Sequence, residues 1–240
     1  MIDIHCHIIP GVDDGAANLS ESLMMAKMAV DSGVRHIIAT PHLPGTPESL
    51  ALLPRIAQQF TLLKQSAADI GLSLSCAAEI LCLPETPDMA AARRLPTLDG
   101  KRYVLCEFYF DESPDEMNRI LDGLHRFGYI PVIAHPERYD AVQQGFSLIG
   151  HWFHKGYVLQ LNKGSVLGSF GRRTEQTANR ILADGAAHVI ASDAHHTAYR
   201  TTHMEQLNHW VQANCHPSYA QILLERNPRR LLEGRPVVPV

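Results

Sequence analysis

The sequence predicts an α/β protein whose parallel strands close, or nearly close, into a barrel. Seven short runs rich in aliphatic and β-branched residues recur along the 240-residue chain. Helical patterns separate most of them, and a parallel sheet requires such crossovers. Residue types that bind metal stand at the carboxyl end of nearly every run, the face on which βα barrels build their sites.

Residues 2–7 form the first run. They alternate, with Ile2, Ile4 and Cys6 on one side and Asp3, His5 and His7 on the other. On a strand His5 and His7 project side by side, and two imidazoles so placed can grip one metal ion. Pro10-Gly11 then opens a polar loop over 12–15. Residues 20–32 are helical, with Ser20 as cap, a shared face of Leu23, Met24, Met28 and Ala29, and a stop at Gly33. The second run, 34–40, ends at Pro41-His42, and a long helical stretch over 47–70 bends or breaks at Pro54. The third run, 72–80, carries Glu79 at its end; a proline-flanked connector over 84–94 follows. The fourth, 103–108, carries Glu107.

A helix over 114–127, stopped by Gly128, leads to the fifth run, 129–134, and to His135-Pro136. Residues 139–154 are helical, with bends at Gly145 and Gly150. The sixth run is 157–162. A helix over 174–184 ends at Gly185, and the seventh run, 188–192, ends in Asp193-Ala194-His195. Residues 200–232 supply two or three closing helices and 236–240 a tail. No repeat or linker divides the chain, so residues 1–240 read as one domain.

Composition narrows the function. A hydrophobic fraction of 45% and a charged fraction of 19% are those of a soluble globule. A net charge of -4 and a pI near 6.4 give no general attraction to nucleic acid or to an anionic membrane surface. No apolar run is long enough to insert into a bilayer, and no signal-peptide pattern precedes the first strand, so a cytoplasmic location is expected. The five cysteines form no Cys-x-x-Cys pair and mostly sit in apolar runs, as small buried hydrophobes of a reducing compartment. The positions six beyond them are Val12, Cys82, Asp88, Glu112 and Gln221; none is arginine, which excludes a thiolate-phosphatase loop. Histidine is the unusual count, at 14.

Those histidines fall in a pattern. His5, His7, His42, Glu79, Glu107, His135, Asp193 and His195 all lie at ends of runs. Asp193 and His195 repeat the i, i+2 spacing of His5 and His7. Counting back along the strands places Glu107 with Leu105 and Tyr103, places His135 with Ile133, and turns the cysteines towards the helix layer. Five imidazoles and three carboxylates gathered at one rim are better satisfied by cations than by one another. A set without thiolate suits manganese, iron or zinc.

In this order, His5-x-His7, Asp14-Gly15, Pro41-His42, the Glu79 strand, Cys106-Glu107-Phe108, Ala134-His135-Pro-Glu-Arg138-Tyr139 and Ser192-Asp193-Ala-His195 resemble the PHP (polymerase and histidinol phosphatase) metal-hydrolase superfamily. The likeness is closest to its bacterial protein-tyrosine phosphatases of capsule and exopolysaccharide operons. It is carried by Ile9-Pro-Gly-Val-Asp-Asp-Gly15, His135-Pro-Glu-Arg-Tyr139, Gln160-Leu-Asn-Lys-Gly-Ser165 and Phe170-Gly171, and covers essentially the whole chain.

The resemblance implies a distorted seven-stranded barrel holding three divalent metal ions, manganese first, with iron or zinc as alternatives. Carried over by position, one metal takes His5, His7, Glu79 and Asp193. A second shares Glu79 and takes Glu107 and His135. The third takes Asp14, His42 and His195; Asp13 is set aside, because the family's acid immediately precedes the glycine. Arg138 and Arg200 match positions that contact phosphate and, with Asp193, make up the implied catalytic set. The implied reaction is metal-assisted hydrolysis of a phosphate monoester without a covalent enzyme intermediate, and the implied partner is the phosphotyrosine-bearing tail of a bacterial tyrosine autokinase. A homo-oligomer is left open.

Departures are small. Cys6 stands for a common serine, Glu107-Phe-Tyr-Phe for a usual Phe-Pro-Phe, and loop 43–49 is proline-rich and poor in the expected glycine-tyrosine features, which leaves substrate preference open. Histidinol-phosphate phosphatase is the main rival on the same centre. A polymerase-associated exonuclease is disfavoured by the acidic pI. A non-catalytic phosphopeptide-binding domain is disfavoured by the full ligand set, and an amidohydrolase by the lack of a strand-end lysine.

Overall fold

Strand pairing in the computed structural model, which describes residues 1–98 and 100–239, is parallel throughout. One sheet contains β1 (Ile2–Cys6), β2 (His36–Ala39) and β4 (Ser73–Cys76), in the order β1-β2-β4. The other contains β3 (His42–Pro44), β5 (Glu79–Leu81), β6 (Tyr103–Glu107), β7 (Ile130–Ala134), β8 (Val158–Asn162) and β9 (Val189–Ala191), paired in that order.

The third expected run is therefore two strands, β4 and β5, and a short strand that was not expected, β3, follows the second run. Pro41 offers no N–H for a ladder, and the chain turns there. The partner strand turns with it: Ala77 N–H donates to Ala39 O at 2.9 Å and Glu79 N–H to Pro41 O at 3.0 Å. His42 and Glu79 consequently open β3 and β5, at the bend, and sit opposite one another in register. The expected position of Glu79 at a strand's end is corrected to a strand's start. At the far edges, Cys6 and Ala194 form an isolated parallel bridge. Asp193 N–H donates to His5 O and His7 N–H to Ala194 O, both at 2.9 Å. No ladder closes a barrel among the described residues.

Alternate strand residues divide between two cores. Tyr103, Leu105, Val132, Ala134, Val158, Val189 and Ala191 pack together with Ile2 and Ile4. Cys106, Ile133, Leu159, Leu161 and Ile190 pack with Met25, Met117, Leu121, Ala178 and Ile181 from the helices. Cys6, Cys82 and Cys106 lie buried in this helix-side core, Cys76 is half-buried, and all five cysteines are free. Ile133 is also on the helix side, contrary to the parity that paired it with His135. The reason is backbone conformation: His135 has φ 35°, and this left-handed residue breaks the two-residue alternation. Ile4 likewise departs from Cys6, because the β1–β2 register shifts between Asp3 and Cys6.

Helix α1 (Leu19–Asp31) starts earlier than expected. Its cap is Asn18, whose Oδ1 accepts from Glu21 N–H at 3.1 Å, rather than Ser20. The stretch after β3 breaks at its prolines, into a 3₁₀ turn (Pro47–Leu52) and α2 (Leu53–Ser66). Then come α3 (Thr86–Ala91), α4 (Pro114–Arg126), α5 (Asp140–Gln144) and α6 (Ser147–His154). The break expected at Gly145 separates α5 from α6, whereas Gly150 lies within α6. A short helix missed in the sequence, α7 (Lys163–Val166), precedes α8 (Arg172–Ala183). The chain closes with α9 (Glu205–Asn214) and a second helical segment over 219–232, within the two or three closing helices expected. The tail is pinned where Asn227 donates to Val238 O and accepts from Val238 N–H; Val240 lies outside the described residues. No described helix is long and apolar enough to cross a membrane.

Candidate metal centre

His5 and His7, both fully buried, leave β1 at the junction of the two sheets. Nδ1–H of His5 donates to Gln160 Oε1 and Nδ1–H of His7 to Asp13 Oδ2, each at 2.8 Å. Each bond selects the tautomer whose Nε2 is a bare lone pair. The two Nε2 atoms point at one another, 3.2 Å apart. Two such lone pairs repel, and a proton or a metal cation held between them turns that repulsion into attraction. Buried Glu79 Oε2 and His195 Nε2 make no hydrogen bond of good geometry within the protein. These orphaned donor atoms fit a divalent cation centre.

Glu79 is the hub. Its Oε1 lies 3.1 Å from His5 Nε2 and 3.1 Å from His135 Nε2; its Oε2 lies 3.2 Å from His7 Nε2 and 3.1 Å from His42 Nδ1. Glu107 stands 3.3 Å from His42 and 3.6 Å from His135. Asp14, at the exposed rim, stands 3.4 Å from Nε2 of both His42 and His195. Asp193 Oδ1 lies 3.4 Å from His5, 3.5 Å from His7 and 3.6 Å from His195 Nδ1. Three sets each bring their ligand atoms within 4.8 Å of one another: His7, Asp14, His42 and His195; His5, His7 and Asp193; His42, Glu79 and Glu107.

Local backbone explains the approach. A Cβ on Gly15 would lie 2.1 Å from the His7 carbonyl oxygen, so only glycine lets the Asp13-Asp14 turn fold onto β1. Asp193, with φ 49°, leaves the strand path as His135 does. Its carboxylate accepts from Asn162 Nδ2 and, at 2.7 Å, from Arg200 Nη2; Arg138 Nη1 stands 3.8 Å away.

Charge in the cluster is set by the carboxylates. Burial opposes a charged His5, yet Glu79 and Asp193 outweigh it and raise its pKa to about 9. Burial also opposes a charged His42, but Glu107 and Glu79 hold it up at about 11. His195 goes the other way, pushed down to about 3 by burial and the neighbouring His7. Asp193 resists the upward push of burial and falls to about 2, chiefly through His5. A field that draws protons onto buried imidazoles draws metal cations equally.

The structure thus gathers His5, His7, Asp14, His42, Glu79, Glu107, His135, Asp193 and His195, with Arg138 and Arg200 at the edge. Sequence reasoning set Asp13 aside and gave Gln160 and Asn162 no role; all three orient inner residues. Polar residues at i, i+2 within the apolar run 157–162 were the available signal for the last two. An apolar cleft of about 340 Å³, walled by Leu43, Pro44, Leu81, Tyr109 and Phe110, opens beside His42 and Glu107.

Residues 1–233 match the family described as capsular polysaccharide synthesis, CpsB/CapC. Tyrosine-protein phosphatase YwqE of Bacillus subtilis is 38% identical over 210 residues, covering 86% of this chain and 82% of that protein. Tyrosine-protein phosphatase CpsB of Streptococcus pneumoniae is 30% identical over 243 residues, covering 97% of this chain and 98% of that one. A chain from the crystal structures of YwqE and CpsB, described as unique metal-dependent tyrosine phosphatases, superposes with a TM-score of 0.89 at 33% identity, over 100% of this chain and 97% of its own. A β-aspartyl dipeptidase from Fervidobacterium islandicum shares the fold alone, with a TM-score of 0.52 and 12% identity over 96% of this chain and 72% of its own.

Proposed function

The chain belongs to the CpsB/CapC family of capsular polysaccharide synthesis, and from that premise we propose that it is a metal-dependent protein-tyrosine phosphatase. The observation that carries the reading is the set of buried donors aimed at one another, above all the 3.2 Å approach of His5 and His7. A first metal would be held by His5, His7, Glu79 and Asp193, a second by Glu79, Glu107 and His135, and a third by Asp14, His42 and His195. Ligands that are all nitrogen and oxygen suit manganese, iron or zinc, and the family resemblance puts manganese first.

Bound there, divalent cations supply Lewis-acid charge to phosphoryl oxygens and lower the pKa of water towards neutrality. The chain supplies the rest. Arg138 and Arg200 grip phosphoryl oxygens with planar, charge-assisted bonds, and Asp193 aims Arg200 through its 2.7 Å contact. The cleft of Leu43, Pro44, Leu81, Tyr109 and Phe110 gives a substrate's phenyl ring an apolar wall. A phenolate, with a pKa near about 10, leaves without a strong general acid.

The substrate is a phosphotyrosine-bearing protein of capsule or exopolysaccharide synthesis, the tail of a tyrosine autokinase, met in the cytoplasm. Residues 1–240 act as one domain. Its two sheets are one distorted seven-stranded barrel, a reading supported by the paired bends at Pro41 and Ala77 and by the Cys6–Ala194 bridge.

The test compares hydrolysis of a phosphotyrosine peptide and of histidinol phosphate, with metal content measured in parallel. The peptide is expected to be the preferred substrate. His135→Ala should lose metal and activity together, whereas Arg138→Ala and Arg200→Ala should keep metal and lose about 100-fold in kcat/KM. Preference for histidinol phosphate, or full activity in His135→Ala, would overturn the reading.

A further inference from the structure

Arg138 is flanked by two phenyl rings. Its guanidinium carbon lies 4.4 Å from the centre of the Phe110 ring and 4.6 Å from that of Phe170. The rings come from separate loops, one after β6 and one after α7, and each is anchored on its own. Phe110 O accepts from Asp140 N–H at 2.8 Å. The Tyr139 hydroxyl accepts from Phe108 N–H at 3.2 Å and donates to Ala134 O at 2.9 Å. These bonds fasten the Phe110 loop to the turn that carries Arg138. Phe170 is set by a different device. A Cβ on Gly164 would stand 2.6 Å from Phe170 Cε2 and 3.0 Å from Cζ, so the ring lies flush on a position that only glycine leaves open. Phe110 is meanwhile 41% exposed, an apolar ring that the core does not use.

We infer that Phe110 and Phe170 are positioning residues for the phosphate site, holding the Arg138 guanidinium so that its N–H edge meets the phosphoryl group, with Gly164 making room for the second ring. The inference rests on the proposed role of Arg138 and specifies how that role is achieved. Arginine is a long, rotamer-rich side chain, and ordering it on binding is unfavourable; rings over its planar faces order it beforehand and leave its in-plane donors free. Leucine in place of either ring keeps apolar bulk but loses the flat, electron-rich surface.

The experiment measures inhibition by inorganic phosphate and turnover of an aryl phosphate in the metal-loaded protein, with metal content alongside. Phe170→Leu and Phe110→Leu should each weaken phosphate inhibition and raise KM by about tenfold, with metal content and kcat little changed. Phe170→Tyr should restore both, and Gly164→Ala, which displaces the ring, should reproduce Phe170→Leu. In an Arg138→Ala background Phe170→Leu should add less than about twofold, since its effect passes through the arginine. Unchanged phosphate inhibition in both leucine variants, or an undiminished effect of Phe170→Leu without Arg138, overturns the inference while leaving the phosphatase reading intact. A silent Arg138→Ala overturns the inference together with the proposed role of Arg138. If Phe170→Leu loses metal or fails to fold, phosphate inhibition of Phe110→Leu decides, because inorganic phosphate has no ring to lose from the cleft that Phe110 also walls.

Discussion

The Asp13 carboxylate stands 2.8 Å from His7 Nδ1, and it also accepts the backbone N–H of Gly15 at 3.0 Å and of His42 at 3.1 Å. One acid therefore ties the end of β1 to the following loop and to the start of β3. It does so from outside the ring of donor atoms, where it fixes the tautomer of one imidazole and the backbone of the residue bearing another. Burial pushes its pKa up, but the bond to His7, the His7 charge and the Gly15 and His42 N–H groups together lower it, so it stays a carboxylate near neutral pH.

Asp13→Ala should leave the fold intact and weaken metal affinity by about 10–100-fold, the usual loss when a ligand histidine loses its carboxylate partner. Titration against a buffered metal series reads this directly. Wild-type affinity would remove Asp13 from the centre.

Gly15→Ala should be worse than its one added methyl suggests. The new carbon would meet both the carbonyl oxygen and Cβ of His7, at 2.1 and 2.5 Å, and neither is the far end of a flexible side chain. Overpacking of this kind costs about 1–3 kcal/mol, a fall in Tm of about 2–12 °C for a domain of this size. Thermal unfolding with and without metal measures it; a variant with unaltered Tm and metal content contradicts the packing described.

Removing metal should abolish phosphotyrosine hydrolysis and destabilise the fold. Without metal the centre holds protonated imidazoles and buried carboxylates that only partly neutralise one another. Metal at a hundred times its dissociation constant stabilises the native state by about 2.7 kcal/mol, so adding back manganese should raise Tm by about 5–10 °C. Activity that survives exhaustive dialysis against chelator would be incompatible with the proposed mechanism.

His188 provides a stability switch away from the centre. It is buried, stacked on Phe153, and its Nδ1 accepts the Leu159 N–H at 3.1 Å, a bond that only the neutral ring can accept. Burial pushes its pKa down to about 4, below the ordinary 6.5. As pH falls the unfolded chain takes up this proton first. The stabilisation is therefore complete above pH 6.5 and is lost between 6.5 and about 4, for a total of about 3 kcal/mol. His188→Asn, whose Oδ1 can replace Nδ1 as acceptor, should flatten the fall in Tm across that window. Parallel Tm curves for the two proteins would show that His188 is not the group responsible.

Some errors in reading the chain have a common physical origin. Unbroken alternation pairs Ile133 with His135 and puts Glu79 at the end of a strand. A positive φ at His135 and a proline at position 41 each interrupt it locally. Proline can be seen in a sequence; a left-handed histidine cannot, because only the surrounding fold makes that conformation tolerable. Asn18 displaced Ser20 as a cap for a simpler reason, since both are good caps and their spacing alone could not choose between them.

Local pattern in the chain was enough for the parallel pairing, for most of the succession of strands and helices, and for the nitrogen- and oxygen-bearing side chains that gather at the strand ends, though not for β3, for the division of the third run or for α7. Those features follow from local periodicity and side-chain chemistry, which depend on near neighbours along the chain. Folding in three dimensions was needed to show that Asp13 supports His7, that Gln160 and Asn162 orient His5 and Asp193, and that Phe110 and Phe170 enclose Arg138. Such contacts join segments separated by up to 155 residues, as between His5 and Gln160. Their geometry is set by how the packed sheets bend, which no local pattern encodes.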